Sequence, residues 1–122
     1  MKPKELAQLC REYADSKKAE DIVVLDVSGV SSITDYFVIA TANSEPHVRS
    51  IWHEIVDRLQ RDHGQHAGKP EGAQQSQWVV VDYFDVVVHV MVKRVREEYN
   101  LEGLWNDATA VRPPVRRRAK KL

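Results

Sequence analysis

The sequence holds a single cysteine, Cys10, so the 122-residue chain cannot form an internal disulfide. Cys10 falls on an apolar helical stripe, which favours a small core residue over a reactive thiol. Long apolar runs are also missing, since no window approaches the roughly 20 residues that a transmembrane helix needs. The first ten residues lack the apolar core of a secretory signal. These absences predict a cytoplasmic protein that makes no membrane contact.

The fingerprints of common enzyme classes are absent as well. The chain has no Gly-rich loop for nucleotide phosphates and no G-x-S-x-G nucleophile elbow. Residues 53–57 match a zinc-binding H-E-x-x-H helix except for aspartate at the second histidine, which favours a solvated helix face. We therefore expect no metal, no cofactor and no catalysis. One alternative stays open, a metal-dependent nucleotidyltransferase-like enzyme in which three carboxylates hold a divalent ion: Asp26, Asp82 and Asp85.

Net charge is zero, but the charges are unevenly distributed. The segment Ala108–Leu122 carries six Lys or Arg and no acid, which leaves 12 basic and 18 acidic residues in Met1–Asp107. An acidic body favours a basic protein partner over nucleic acid, whereas the basic tail is suited to a phosphate backbone. We predict one domain over residues 1–106 and a basic, disordered tail over residues 107–122.

The stretch WVVVDYFDVVVHVMV contains two short runs of β-branched residues, Trp78–Tyr83 and Val86–Val92, and predicts a β-hairpin. Because both runs are nearly continuous in apolar residues, we expect them in the middle of a sheet with helices over both faces. Three polar residues interrupt the runs: Asp82, Asp85 and His89. The two carboxylates should lie at strand ends or at an exposed edge, because an unpaired buried carboxylate is costly. The imidazole is either a hydrogen-bonded core group or a base.

Hydrophobic periodicity predicts the other elements. These are a helix over residues 4–17, strands over Ile22–Val27 and Tyr36–Ala42, a helix that follows the N-cap Ser44 and reaches Leu59, and a short helix or turn within Arg94–Trp105. A Gly-rich polar loop over residues 64–77 precedes the hairpin. The order of elements predicts an α/β fold, a single domain whose mixed sheet of four to five strands is covered by helices.

Aromatic residues make up only 7% of the chain, yet several of them lie close to acids near its C-terminal end. Aromatic rings supply anchors at protein interfaces, and carboxylates steer a basic partner toward them. The alternative is that Trp78 and Trp105 simply complete the core. The aromatic residues are Trp78, Tyr83, Phe84, Tyr99 and Trp105, and the acids between them are Asp82, Asp85, Glu98 and Glu102.

The order and spacing of several short motifs over residues 4–106 resemble the ribosomal silencing factor family, also called Iojap-like. Each motif is weak alone, and their joint order makes the resemblance specific. The sequence departs from the family pattern at Ala42-Asn43, at Phe84 where a glycine is customary, and at Lys93-Arg94. The motifs are Asp21-Ile22, Leu25-Asp26-Val27, residues 32–39 (SITDYFVI), Ser44, His47-Val48, Glu71-Gly72, residues 78–82 (WVVVD), Asp85-Val86, Val88-His89-Val90, Arg96, Tyr99, Leu101-Glu102 and Leu104-Trp105.

The resemblance implies a fold related to nucleotidyltransferases without their catalytic residues. It implies binding to the large ribosomal subunit through universal ribosomal protein number fourteen, which blocks joining of the small subunit and represses translation under nutrient limitation or in stationary phase. It also implies a homodimer when the protein is free, and the basic tail is suited to an accessory contact with ribosomal RNA. By motif position, the expected contact residues are Trp78, Asp82, Asp85, His89, Tyr99, Leu101, Glu102 and Trp105.

Overall fold

The computed structural model describes residues 1–73, 77–104 and 108–113, except for the side chains of residues 102 and 104. The chain forms four helices and five strands within these ranges. In chain order they are α1 (Pro3–Ser16), β1 (Glu20–Asp26), β2 (Tyr36–Ala42), α2 (Glu45–His63), β3 (Trp78–Asp82), β4 (Val86–Val92), α3 (Lys93–Tyr99), α4 (Leu101–Leu104) and β5 (Thr109–Val111).

The five strands form one mixed sheet with the order β3-β4-β2-β1-β5. Strands β2 and β4 run parallel, in a register that pairs Ile39 with His89, and every other neighbouring pair is antiparallel. Helix α2 carries the chain from β2 to the far edge of the sheet, and the β3–β4 hairpin then returns β4 to the side of β2. The predicted α/β domain with a mixed sheet is thereby confirmed.

Helices α1 and α2 cover one face of the sheet and bury the main core. Ile51, Ile55 and Leu59 of α2 are fully buried, because their spacing of four residues places them on one side of the helix. Cys10 of α1 is also fully buried, and this burial raises the pKa of its thiol to about 12. Its predicted role as a core residue is therefore confirmed.

Side-chain and backbone caps define both ends of α2. The hydroxyl of Ser44 accepts a hydrogen bond from the amide of His47 at 3.2 Å, as an N-cap should. At the other end, Gly64 adopts a left-handed conformation with φ +65°, and its amide donates to the carbonyl of Gln60. The amide of the next residue donates to the carbonyl of Leu59, which completes a Schellman motif. The helix thus extends four residues beyond its last predicted apolar position.

The position predicted for the hairpin is only half right. Strand β4 lies inside the sheet, but β3 is an edge strand, and its buried and partly buried residues alternate. Val79 and Val81 are fully buried under the helices, whereas Val80 on the opposite face is half-buried. The amide and carbonyl of Val80 pair with Glu71, so part of the loop before β3 protects this outer edge. An apolar run is therefore compatible with one covered face and one open face.

The ordered fold extends past the domain boundary expected at residue 106. Thr109–Val111 form β5, which pairs with β1 in antiparallel fashion. Helix α1 secures this strand, since Arg11 donates a 2.6 Å hydrogen bond to the carbonyl of Val111 and Gln8 donates one to Arg112. The expected tail thus contributes a strand, and its residues 114–122 lie outside the described residues. In the part of the chain that the structure describes, no helix is long and apolar enough to cross a membrane.

Candidate functional site

The face of the sheet opposite α1 and α2 is covered only in part. A small cluster on this face is buried between the sheet and α3, and it includes Leu25, Ile39 and Met91 of the sheet and Val95 of α3. Across the rest of this face lie four partly or largely exposed rings, which we call the aromatic face: Phe37, Trp78, His89 and Tyr99. Because side chains alternate along each strand, a sheet with helices packed mainly on one face leaves the other available for a partner.

The four rings contact one another in series from β2 to α3. Phe37 and His89 meet edge to face, with their centroids 5.3 Å apart and their planes at 74°. The indole of Trp78 lies 4.9 Å from the ring of Tyr99, and both geometries lie within the range of favourable aromatic pairs. Strand pairing explains the order, since β4 lies between β2 and β3 and brings His89 between Phe37 and Trp78.

A hydrogen bond fixes the central pair of the aromatic face. The indole Nε1 of Trp78 donates to Nδ1 of His89 at 3.0 Å, so the proton of the neutral imidazole must sit on Nε2. Burial lowers the pKa of His89 to about 4, which keeps the ring neutral at pH 7. The interpretation of His89 as a hydrogen-bonded histidine is confirmed. Trp78 also packs against the small cluster beneath α3, so it belongs both to the core and to the exposed face.

Helix α3 places Tyr99 beside the sheet. The guanidinium of Arg96 donates a 2.7 Å hydrogen bond to the hydroxyl of Thr41 and a second one to the carbonyl of Asp21, which ties the helix to β2 and β1. The ring of Tyr99 is nevertheless 53% exposed, although one side of it meets Trp78. The next residue, Asn100, ends α3 in a left-handed conformation. Leu101 then turns back and packs against the small cluster, so it supports the face from below.

Two of the predicted acidic residues, Asp82 and Asp85, lie away from the rings, whereas Glu98 directly precedes Tyr99 in α3. Trp78 begins β3 and Asp82 ends it, so about 13 Å of strand separates the two side chains on the same face. Asp82 is exposed, and Asp85 lies half-buried in the turn that follows, as predicted for strand ends. The structure thus brings Trp78, His89 and Tyr99 together and places the two aspartates at the far end of the sheet. The side chain of Glu102, and Trp105 entirely, lie outside the described residues.

The three carboxylates of the nucleotidyltransferase alternative do not converge. Asp26 ends β1 and Asp82 ends β3, and these strands are three positions apart in the sheet, or about 14 Å. Both carboxylates also bond locally, since Asp26 accepts from the amide of Ser28 and Asp82 accepts from that of Phe84. No group of three His, Cys, Asp or Glu side chains in the described ranges is placed to hold a metal ion.

Sequence reasoning missed Phe37 as a member of the site. The residue lies in an apolar strand, and only its place in the alternating pattern indicates the face opposite Val38. Its contact with His89 depends on the parallel register of β2 and β4, which pairs segments about 50 residues apart in the chain. No local pattern encodes that pairing.

Taken together, the fold and the aromatic face define an α/β domain with a surface suited to protein recognition. A family model described as "Ribosomal silencing factor during starvation" matches residues 1–121. The chain is 44% identical over 111 residues to a ribosomal silencing factor of Halalkalibacterium halodurans, a match that covers 91% of this chain and 94% of that one. This protein belongs to the ribosomal silencing factor family.

Two further comparisons extend the similarity. A crystal structure of a protein from Chromobacterium violaceum superposes with a TM-score of 0.83 at 32% identity, covering 94% of this chain and 92% of that chain. A mouse protein named for mitochondrial assembly of the ribosomal large subunit is 34% identical over 91 residues, which cover 73% of this chain and 40% of the mouse protein. The same domain thus occurs in bacteria and in a mitochondrial protein.

Proposed function

We propose that this protein binds the large ribosomal subunit through universal ribosomal protein number fourteen and thereby blocks association with the small subunit. The observation that carries the proposal is the aromatic face, in which Tyr99 is 53% exposed and packs against Trp78 with the two rings tilted at 50°. Family membership directs the proposal to the ribosome, and the name of the mouse relative directs it to the large subunit.

The chemistry of the face supports a protein partner. Tyrosine and tryptophan dominate interface energetics because they bury a large rigid area at a low cost in side-chain entropy. Here Trp78 is already held by His89, so little of its freedom is left to lose on binding. Residues 78–92 include two aspartates and no Lys or Arg, which favours a basic partner surface. The expected contacts Glu102 and Trp105 remain part of this proposal.

The size of the domain supports a steric mechanism. A compact chain of 122 residues has a radius of gyration of about 14 Å, so it spans roughly 30 Å or more. A body of that thickness seated where two subunits meet would keep their contacting surfaces apart. The protein then needs no catalysis to repress translation in the cytoplasm under nutrient limitation. The homodimer of the free protein and an accessory RNA contact by the basic tail complete the proposal.

Sedimentation of purified subunits tests the proposal. We expect the full-length chain to co-migrate with large subunits in a density gradient and to reduce the fraction of joined ribosomes. Tyr99→Ala should weaken binding by tenfold or more without unfolding the domain, because the ring is largely exposed. Gln60→Ala, an exposed substitution on α2 away from the aromatic face, serves as the matched control. A wild-type protein that stays at the top of the gradient and leaves joining unchanged would refute the proposal.

A further inference from the structure

Three exposed apolar side chains lie in the two loops at one end of the sheet, the β1–β2 loop and the β3–β4 turn. Val30, Ile33 and Phe84 are 46%, 82% and 79% exposed. We call them the sheet-end patch. The described residues contain five strongly exposed large apolar or aromatic side chains, and these three are among them. The other two are Met1 and Tyr99, and Tyr99 belongs to the aromatic face. Strongly exposed apolar side chains are therefore concentrated in the sheet-end patch and the aromatic face rather than scattered.

Hydrogen bonds join the two loops that carry the patch. The carbonyl of Asp85 in the hairpin turn accepts from the amides of Asp35 and Tyr36 at 3.1 and 3.0 Å. Phe84 adjoins Asp85, and Ile33 lies two residues before Asp35, so the two side chains start within about 15 Å of each other. The loop that holds Ile33 is itself closed, because the amide of Val27 donates to the carbonyl of Asp35. Backbone hydrogen bonds therefore hold the two loops of the patch in a fixed relative position.

The backbone at Phe84 is unusual for an aromatic residue. Its φ is +75°, a backbone conformation that glycine adopts freely and that residues with a Cβ rarely adopt. The carboxylate of Asp82 accepts a 2.7 Å hydrogen bond from its amide and holds this geometry. Because the ring of Phe84 is largely exposed, it contributes little hydrophobic stabilisation to the free protein. A backbone strained to present an exposed ring is the kind of local cost that is found at functional sites.

A row of carboxylates runs beside the patch. One aspartate stands at this end of each of four neighbouring strands, in the spatial order Asp82, Asp85, Asp35 and Asp26. Residues 26–36 and 78–92 together contain these four acids and no Lys or Arg. A second copy of this chain would bring the same acids against themselves, and an anionic lipid surface would also be repelled. A basic surface with an apolar recess is the complementary occupant.

We propose that the sheet-end patch is a second contact region for the same basic ribosomal partner, in which Ile33 and Phe84 enter an apolar recess and the aspartate row steers the approach. This inference rests on the proposed function. It adds a distinct anchor beyond the end of β3 opposite Trp78, and the strand itself runs about 13 Å from Trp78 to Asp82, so the contact would extend along the whole strand. Two anchors on one rigid sheet also fix the orientation of the bound domain.

The test is an equilibrium co-sedimentation titration of the full-length chain against purified large ribosomal subunits at fixed salt. The double variant Ile33→Ser with Phe84→Gly should raise the Kd by roughly thirtyfold, the effect of losing an interface anchor. Its matched control is Glu12→Gln with Gln60→Ser, two exposed positions on the helical side of the sheet. In a separate stopped-flow measurement of association at low salt, Asp35→Asn should slow the association rate several-fold, whereas Glu12→Gln alone should not.

The outcomes separate this inference from the proposed function. If the double variant binds like wild type while Tyr99→Ala is impaired, the sheet-end patch is not a contact and the proposed function stands. If wild type does not bind at all, both fall. If the double variant instead changes the oligomeric state of the free protein and leaves subunit binding intact, the patch is a self-association surface and the inference is overturned.

Discussion

Replacing Phe84 with glycine should stabilise the protein, although the change removes a large apolar side chain. Phe84 lies at the tip of the β3–β4 hairpin with φ +75° and with its side chain 79% exposed. Removal of an exposed ring forfeits little buried area. Glycine, in contrast, adopts this conformation without the steric conflict between Cβ and the backbone. The amide that donates to Asp82 is retained in the variant.

The expected gain follows from two opposing terms. The left-handed conformation costs an L residue about 1–2 kcal/mol. Glycine lowers the free energy of unfolding by about 0.5–1 kcal/mol, because it increases the conformational entropy of the unfolded chain. The free energy of unfolding should therefore rise by about 0.5–1 kcal/mol. For a chain of this length the unfolding temperature should increase by about 2–4 °C.

Thermal and urea unfolding followed by circular dichroism measure this change. Phe84→Ala is the matched control, because it also removes the ring but keeps a Cβ at the strained position. Glycine should exceed alanine in stability by about 1 kcal/mol. If glycine is no more stable than alanine, the backbone at residue 84 is not strained in solution. The reasoning that links this strain to the sheet-end patch would then fail.

Three further predictions concern the site and its support. Because burial holds the pKa of His89 at about 4 against 6.5 when unfolded, the unfolded state binds more protons between these values. The free energy of unfolding, measured from urea unfolding curves, should therefore fall by at most roughly 3 kcal/mol as the pH drops from 6.5 to 4. His89→Asn should remove this pH dependence, and an equal slope of unfolding free energy against pH in both proteins would contradict the prediction. A Cβ on Gly72, which has φ +85°, would lie 2.1 Å from the carbonyl oxygen of Trp78, so Gly72→Ala should destabilise by about 2–4 kcal/mol and alter tryptophan fluorescence. An unchanged unfolding midpoint would show that the contact is relaxed. Ser44→Ala should cost about 1 kcal/mol by calorimetry, since it leaves the amide of His47 without its cap, whereas an effect below 0.3 kcal/mol would show that solvent replaces it.

Most of the secondary structure was predictable because its causes are local. The helical spacing of Ile51, Ile55 and Leu59 and the cap at Ser44 define α2, and β-branched runs define the hairpin. The single domain and its α/β class follow from the order of these elements. The acidic body was also predictable from the distribution of charges, and the polar residues at strand ends from their positions in the apolar runs. The strand β5 was not, because its three residues carry no periodic signal and depend on contacts with β1 and Arg11.

The sequence predicted several residues of the candidate site, but it did not predict how they are arranged in space. Trp78, His89 and Tyr99 were identified and do meet, but Asp82 and Asp85 lie at the other end of the strand. They join Asp26 and Asp35 in a row that no sequence motif indicates. The reason is geometric, because the row forms only when four strands are placed side by side.

Local sequence specifies which segments become helices and strands, because periodicity, capping and β-branching act within a few residues. Long-range packing, in contrast, places β3 at an edge, pairs β2 in parallel with β4 and brings Phe37 against His89. It also places Ile33 and Phe84 at one end of the sheet. Strand order depends on how distant segments pack around a common core, and no local stretch of the chain specifies that packing.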